Sequence, residues 1–427
     1  MDKNTLKQIL FEQKEEIKNI LSGKIIKREV EDIARESLNS HLIKVIIGVR
    51  RSGKSVLAHR ILENKKYGYV NFDDERLISV RTKDLNDLLE ILLEISPGIK
   101  YLLLDEIQNV AGWELFVNRL QRKGYNIIVT GSNSQFLSKE LATHLTGRHF
   151  TVELFPFSFK EFLVYKGFAF SPKDFYLAER KAQLKRMLIK YLRQGGFPEL
   201  FKLKNEDQYL RDLYNKIVTR DVVERYKIKY VKTLKELALY ALSNFGNRIT
   251  YHKLKNIFEI KSVHTIKNYL DYLMEAYLIF QVYPFYYKVK EQIRGSKKIY
   301  GIDNGLIRSL SSQSSPDLGR LTENVVFLEL KRRENEIYFF TDYFNNEVDF
   351  VVKKGLRVKQ LIQVCYDLKD DETRKREVRS LAKAAKKLKC DSLIIITNDL
   401  EEDGLVENRK IKVIPLWKWL LEGEKLN

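Results

Sequence analysis

Residues Gly48 to Ser55 read Gly-Val-Arg-Arg-Ser-Gly-Lys-Ser, which satisfies G-x-x-x-x-G-K-S at every position. Glycines at the two fixed points let the backbone curl until its N–H groups face outward together, and such a cradle suits the phosphates of a nucleotide. Gly48, Arg50, Arg51, Ser52, Gly53, Lys54, Ser55 and Val56 are therefore candidates for nucleotide contact. Lys54 is expected to reach the β and γ phosphates and Ser55 to coordinate Mg2+. An apolar run, Leu42 to Ile47, precedes the motif and a helical stretch follows it. That setting separates a phosphate loop from a chance glycine-rich turn.

Two carboxylates stand where hydrolysis would need them. The apolar run from Tyr101 ends in Asp105 and Glu106. Asp105 can hold Mg2+ through water, and Glu106 can orient and deprotonate an attacking water. Capping of the next helix is the rival reading of this pair. A further apolar run, Asn126 to Thr130, ends in Gly-Ser-Asn-Ser. If that strand neighbours the one carrying Asp105, Ser132 or Asn133 lies beside the γ phosphate. ATP is the nucleotide expected, although no base-reading motif excludes GTP.

The elements that must hold these groups follow from texture. From His41 to about Phe150, buried apolar strands alternate with helical stretches, the pattern of a parallel sheet with helices on its faces. Ahead of it, Leu6, Leu10, Ile17, Ile20 and Leu21 recur near helical spacing. Residues 155 to 230 read mainly as helices, and from Thr322 strands return. The division expected is an N-terminal helix at 1–30, a nucleotide-binding core at 31–152, a helical lid at 153–230, and further domains at 231–304 and 305–427. A chain of 427 residues with 44% hydrophobic content is long enough for several such cores.

Lys and Arg outnumber Asp and Glu by 76 to 57, a formal net charge of +19 that would attract polyanions, nucleic acid foremost. A solvated Lys- and Glu-rich surface of the thermophile kind is the bland alternative. The two cysteines, Cys365 and Cys390, form neither a Cys-x-x-Cys pair nor a His/Cys cluster, which argues against a disulfide framework or structural zinc. No apolar run reaches the roughly 18 to 20 residues that cross a bilayer, and the first residues mix charges throughout. A cytoplasmic protein without a membrane partner is expected.

With "YVNFDDERL", "DEIQ", "TGSNS", "LTGRHF", "ELFPFSFKEFL", "GGFPE", "RDVVERY", "IDNGL", "TENVVFLEL" and "EVDFVV" in this order, nearly the whole chain resembles a group of prokaryotic and archaeal AAA+ P-loop ATPases that carry a C-terminal nuclease-like domain. The resemblance implies that Ser132 or Asn133 is the sensor of the γ phosphate. It also implies that Arg148, in "TGR", is a finger acting in trans on a neighbouring subunit, so that the active form is a homo-oligomer, with a hexamer among the candidates. Arg220, in "TRDVVERY", is a second arginine that could sense nucleotide from the lid. A surface arginine and a plain Arg–Asp helix pair are the structural readings of these two.

Between Leu234 and Ile302 the pattern reads as a winged helix-turn-helix. On its third helix, after the N-cap Ser262, Val263, Ile266, Leu270, Leu273, Met274 and Tyr277 recur at core spacing and leave His264, Thr265, Lys267 and Asn268 outward. A basic loop with Lys288, Lys290, Arg294, Lys297 and Lys298 would form the wing. These groups suit DNA edges and phosphates, although winged helices also dock proteins.

The last part, "NEVDFVVKKGLRVKQLIQVC", is similar in its order of elements to the PD-(D/E)XK nuclease superfamily, with Glu323 and Glu329 on the preceding helix. Asp349 fits a metal-binding position and Gln363 could offer a carbonyl oxygen to a vestigial site. Cys365 stands where active members carry the lysine that orients water, and it cannot supply a fixed positive charge. Lys359 lies about 13 Å away along a strand at roughly 3.3 Å per residue. A degenerate nuclease fold kept for binding or assembly is the expectation.

The whole is thus an α/β protein: a parallel P-loop sheet with helical lid, a winged helix, and an α/β restriction-endonuclease-like domain. The function expected is that of a Mg2+-dependent AAA+ ATPase acting as an oligomeric DNA-binding motor or remodeller, on duplex or on branched DNA such as Holliday junctions. A regulatory NTPase that switches a protein partner and an ATP-driven nuclease are the rival readings.

Overall fold

The computed structural model describes residues 2–133, 147–311, 317–344, 346–406 and 409–422. The final serine of "TGSNS" and the first residues of "LTGRHF" lie outside this set. Two compact units are present, Met1–Pro156 with Glu275–Tyr277, and Phe157–Met274 with Leu278–Asn427.

In the first unit the strands β1 (Ile43–Ile47), β2 (Tyr67–Asn71), β3 (Tyr101–Asp105), β4 (Asn126–Gly131) and β5 (His149–Glu153) form one sheet in the order β2-β3-β4-β1-β5. Every pairing is parallel. Central β1 is buried along its whole length, as a strand covered on both faces must be. Ile46, Leu57, Ile61, Leu103, Ile128 and Val152 belong to the core cluster that joins the sheet to its helices. The helix Lys3–Leu21 buries Leu6, Ile9, Leu10 and Ile17. Its Gln13 side chain accepts from Asn71 N–H and donates to Asn71 O, which ties the helix to the end of β2.

The second unit opens with helices Phe159–Tyr165 and Ala178–Gln194. Helix Glu206–Lys216 then runs into a π-helical segment, Ile217–Glu224, that carries "RDVVE". Two of the quoted landmarks meet here for a structural reason. Asp303 of "IDNGL" accepts from Gly196 N–H of "GGFPE" at 2.7 Å, and Asn304 donates to Leu192 O and Leu321 O. Gly195 lies at φ +80°, and a Cβ there would come within 2.1 Å of the Asp303 carboxylate.

Helices Val231–Ser243, Tyr251–Ile257 and Val263–Glu275 follow. Then β6 (Arg248–Ile249), β7 (Ile279–Pro284), β8 (Lys297–Gly301), β9 (Glu336–Thr341), β10 (Glu347–Lys354), β11 (Arg357–Val364), β12 (Leu393–Thr397), β13 (Glu402–Val406) and β14 (Arg409–Pro415) build one nine-stranded sheet. Its order is β13-β14-β12-β11-β10-β9-β7-β8-β6. The parallel pairing of β7 with β9 joins the two segments that the sequence divides at residue 304. The helices Leu318–Arg332 and Asp371–Leu388 contribute buried faces to this unit. No helix among the described residues is long and apolar enough to cross a membrane.

Candidate nucleotide site and a second carboxylate centre

The phosphate loop follows β1, where parallel strands end side by side and helix N-termini converge, the usual ligand crevice of such sheets. Gly48 adopts φ +150°, and a Cβ on it would stand 2.0 Å from Leu154 O. No side chain fits there. Gly53, at φ +97°, is the N-cap of helix Lys54–Ile61, and Arg51 is also left-handed at φ +67°. A buried arginine secures the loop from behind, with Arg28 Nη1 donating to Ser52 O at 2.9 Å and Nη2 to Phe155 O at 2.6 Å.

Register brings the rest of the set to the same end of the sheet. β1 pairs with β4 up to Ile47 and Gly131, and β3 pairs with β4 up to Leu104 and Val129. Asp105, Thr130 and Ser132 therefore meet next to the loop. The Thr130 hydroxyl donates to Asp105 Oδ1 and accepts from Glu106 N–H at 3.0 Å. Lys54 is buried, with Nζ 3.3 Å from Val49 O and 3.4 Å from Glu106 Oε1. Glu106 stands at φ +51° and accepts from the Gln108 side-chain amide. Arg50 pairs with Asp73 at 3.2 Å.

Burial, joined by the charge of adjacent Glu106, pushes Asp105 up to about 6 against hydrogen bonds from Ser55 and Thr130. Burial acts on Glu106 in the same sense, but the charges of Lys54 and Arg50 prevail and hold it below the usual carboxylate range. Two hydroxyls, one in the loop and one just past β4, have nothing to bond. Ser52 Oγ and Ser132 Oγ are buried and without a hydrogen-bond partner. An orphaned hydroxyl beside a glycine cradle and an ammonium fits phosphate oxygens, so the residues present suit a nucleotide carrying Mg2+.

Asn133 is buried beside Ser132. Arg148 is exposed and precedes β5, whose first residue pairs with Ile43 at the start of β1. It lies at the far end of the sheet from Gly48, roughly 16 Å away at ~3.3 Å per residue, too far to serve its own loop. Arg220 is exposed on the π-helical segment of the other unit. Thr130, Gln108 and Arg28 have no role assigned from sequence. The first two sit inside the motifs "TGSNS" and "DEIQ", whereas no local signal marks Arg28.

On helix Val263–Glu275, Ile266, Leu270, Leu273 and Tyr269 are buried, while Val263 and Met274 are half-buried. His264 and Lys267 are exposed; Thr265 and Asn268 are partly so. Ser262 caps as expected, its Oγ accepting from His264 N–H at 3.1 Å. Lys288, Lys290 and Arg294 are exposed, but they lie on or beside a short helix, Val289–Arg294, rather than a loop. Lys297 and Lys298 depart from the expectation. Both belong to β8 and are buried. Lys297 Nζ donates to Ile293 O at 2.5 Å and Gly295 O at 2.7 Å, so its ammonium is consumed within the chain.

The C-terminal candidate is also altered by its surroundings. Asp349 is buried, and its Oδ2 accepts from Val364 N–H at 3.0 Å. Gln363 does not turn its carbonyl oxygen toward a cation. Its Oε1 faces Asp349 N–H at 3.3 Å and its amide donates to Glu377 at 2.7 Å. Cys365, raised to about 11 chiefly by burial, donates to Asp367 O. Register also removes Lys359, which falls in the β-bulge past the Val352–Gln360 pair, away from Asp349. Lys298 Nζ lies 2.9 Å from Asp349, 2.9 Å from Glu323 and 2.6 Å from Glu347. Asp349 and Gln363 are thus not an open vestigial metal site; among the described residues no group of three or more His, Cys, Asp or Glu side chains is arranged to hold a metal.

Comparison with known proteins agrees with the first of these centres. The family model for the AAA domain matches residues 40–163. Residues 185–317 and 318–419 match two domains of unknown function, DUF8612 and DUF4143. "Uncharacterized protein MJ1544" of Methanocaldococcus jannaschii is 40% identical over 97% of this chain and 96% of its own length. An uncharacterized protein of Haemophilus influenzae is 30% identical over 90% of this chain and 95% of its own. Among solved structures, the Walker-type ATPase PABY2304 of Pyrococcus abyssi covers 67% of this chain and 96% of that one at 16% identity and a TM-score of 0.44. The Aeropyrum pernix ORC1 protein, solved in complex with DNA, covers 67% and 93% at 13% identity and a TM-score of 0.31. With an AAA domain built around an intact phosphate loop, and with identity to two relatives running almost from end to end, the chain belongs to their family, one of AAA+ P-loop ATPases.

Proposed function

We propose that the first unit hydrolyses ATP and that the chain uses this hydrolysis, as a homo-oligomer, to move or remodel DNA. The observation that carries the ATPase reading is the pair of orphaned hydroxyls, Ser52 in the phosphate loop and Ser132 just past β4, together with Lys54 beside Glu106. Backbone N–H groups of the loop bind phosphate, and Lys54 neutralises its charge. Mg2+, which Ser55 and Asp105 are suited to hold, would screen the charge on the phosphates. Thr130 fixes the Asp105 carboxylate and the Glu106 backbone relative to one another. Glu106 takes a proton from water; the Lys54 and Arg50 charges keep it ionised and ready to accept one. Ser132 or Asn133 contacts the γ phosphate. Arg148, unable to reach its own loop, acts on a neighbour's. Arg220 is proposed as a second nucleotide-sensing group.

DNA is the proposed partner of the segment around helix Val263–Glu275. The exposed His264 and Lys267, together with Lys288, Lys290 and Arg294, support that reading, as does the net charge of +19. The second reading, a switch that docks a protein, is favoured by Tyr287, Val289 and Ile293, which leave apolar surface exposed on and just before the same short helix. ATP turnover measured without DNA and with single strands, duplex and four-way junctions, across a salt series, separates the two. Stimulation that fades steeply with salt is expected. Turnover indifferent to every DNA form would sink the DNA role and leave the protein switch.

A further inference from the structure

The carboxylate centre of the second unit has a feature that the nucleotide site lacks: its ammonium is already surrounded by carboxylates. Glu323 comes from helix Leu318–Arg332, Glu347 and Asp349 from β10, and all three turn toward one point. At that point sits Lys298 Nζ, on a side chain only 2% exposed. An ammonium has three N–H donors and no acceptor. Here each donor has one carboxylate, at 2.6 to 2.9 Å. Asp349 Oδ2 takes Val364 N–H at 3.0 Å and Glu347 Oε2 takes Arg248 Nε–H at 2.6 Å, while the Tyr300 hydroxyl donates at 2.6 Å to Glu323 Oε1, the same oxygen that faces Lys298.

We propose that Lys298 is the resident cation of this centre: its ammonium holds the place a divalent ion would take among Glu323, Glu347 and Asp349, and thereby keeps the centre shut to exogenous metal. Acidic side chains so close together need a positive charge among them, because burying several carboxylates unpaired is prohibitively costly. A metal or a lysine can meet that need, but not both at one point. Lys298 also comes from β8, whereas the carboxylates lie on later elements, so the charge cluster fastens the β7–β8 hairpin to the β9–β10 side of the sheet. The centre is then a structural clasp, three carboxylates drawn together by one ammonium.

The test counts Mn2+ ions bound to the nucleotide-free full chain by electron paramagnetic resonance. Wild type and Glu323→Gln should bind the same number, since no Mn2+ resides at this centre in either. Lys298→Met should bind one ion more, and Lys298→Met combined with Asp349→Asn should lose that ion again. Loss of a bound Mn2+ on going from wild type to Glu323→Gln would overturn the proposal, as would a folded Lys298→Met chain that gains none. Should Lys298→Met fail to fold, the comparison of wild type with Glu323→Gln still decides, because an open centre must lose metal when one carboxylate is neutralised.

Discussion

The phosphate crevice of the first unit and the carboxylate centre of the second each surround a buried lysine, yet they differ in what is left over. In the crevice, Ser52 Oγ and Ser132 Oγ have no partner, and Lys54 makes only long contacts at 3.3 and 3.4 Å. In the carboxylate centre, Lys298 meets three carboxylates at 2.6 to 2.9 Å. A buried polar group without a partner costs roughly 1–3 kcal/mol, a cost that a phosphate oxygen could relieve at the two hydroxyls near the glycine cradle. The ammonium of the second centre has no such need, since it already meets its carboxylates.

That contrast breaks most visibly at the two charges that define it. Glu106→Gln should lower ATP turnover about 10²–10⁴-fold while nucleotide still binds, which a paired turnover and binding assay would reveal. Full turnover in that variant would remove Glu106 from the role of base. Lys298→Met, by contrast, should leave turnover per folded chain near normal and destabilise the second unit by about 3–5 kcal/mol, read from denaturant unfolding. Lys298→Arg, which keeps the charge, should lose less.

A smaller effect concerns acid. His59 is buried on the helix Lys54–Ile61 with Nδ1 2.7 Å from Tyr67 Oη, and burial lowers it to about 4 from an ordinary value near 6.5. Because the folded-state value is the depressed one, its contribution is present above about pH 6.5 and is lost as pH falls through about 4. Wild type should lose up to ~3 kcal/mol across that window, and His59→Gln should show a flatter dependence. Equal slopes for the two would show that the ring is not held neutral. The smallest effect should sharpen the comparison most. Ser132→Ala removes a hydroxyl that bonds nothing, so stability without nucleotide should hardly change, while turnover drops roughly tenfold through loss of one contact worth ~1–1.5 kcal/mol.

The phosphate site was legible in the sequence because its parts are short and local. Gly48 to Ser55, Asp105 with Glu106, and Thr130 to Asn133 each lie at the end of an apolar strand, and parallel register alone brings them together. Arg28, which holds Ser52 O, was not legible, since it comes from a segment with no motif. The carboxylate centre was legible only in half. Strand alternation marks Asp349 and Gln363, but Lys298 reads as one more lysine of a basic loop until β8 is seen to pair with β6 and β7. A charge on an apparent loop and a charge buried in a strand look alike in one dimension. Contacts 25 and 51 residues apart decide which it is.

The pairing of Tyr283 with Tyr338 and Pro284 with Phe339 has a consequence for anyone dividing this chain. A fragment starting at residue 305 would strip β9 of its neighbour and bare a row of backbone groups flanked by Phe339 and Phe340, a template for intermolecular strand addition. The same cut would discard Lys298 and leave Glu323, Glu347 and Asp349 without their shared counter-ion. The expected product is an aggregate, whereas a fragment starting at residue 157 keeps both the strand and the lysine and should remain monodisperse in size-exclusion chromatography.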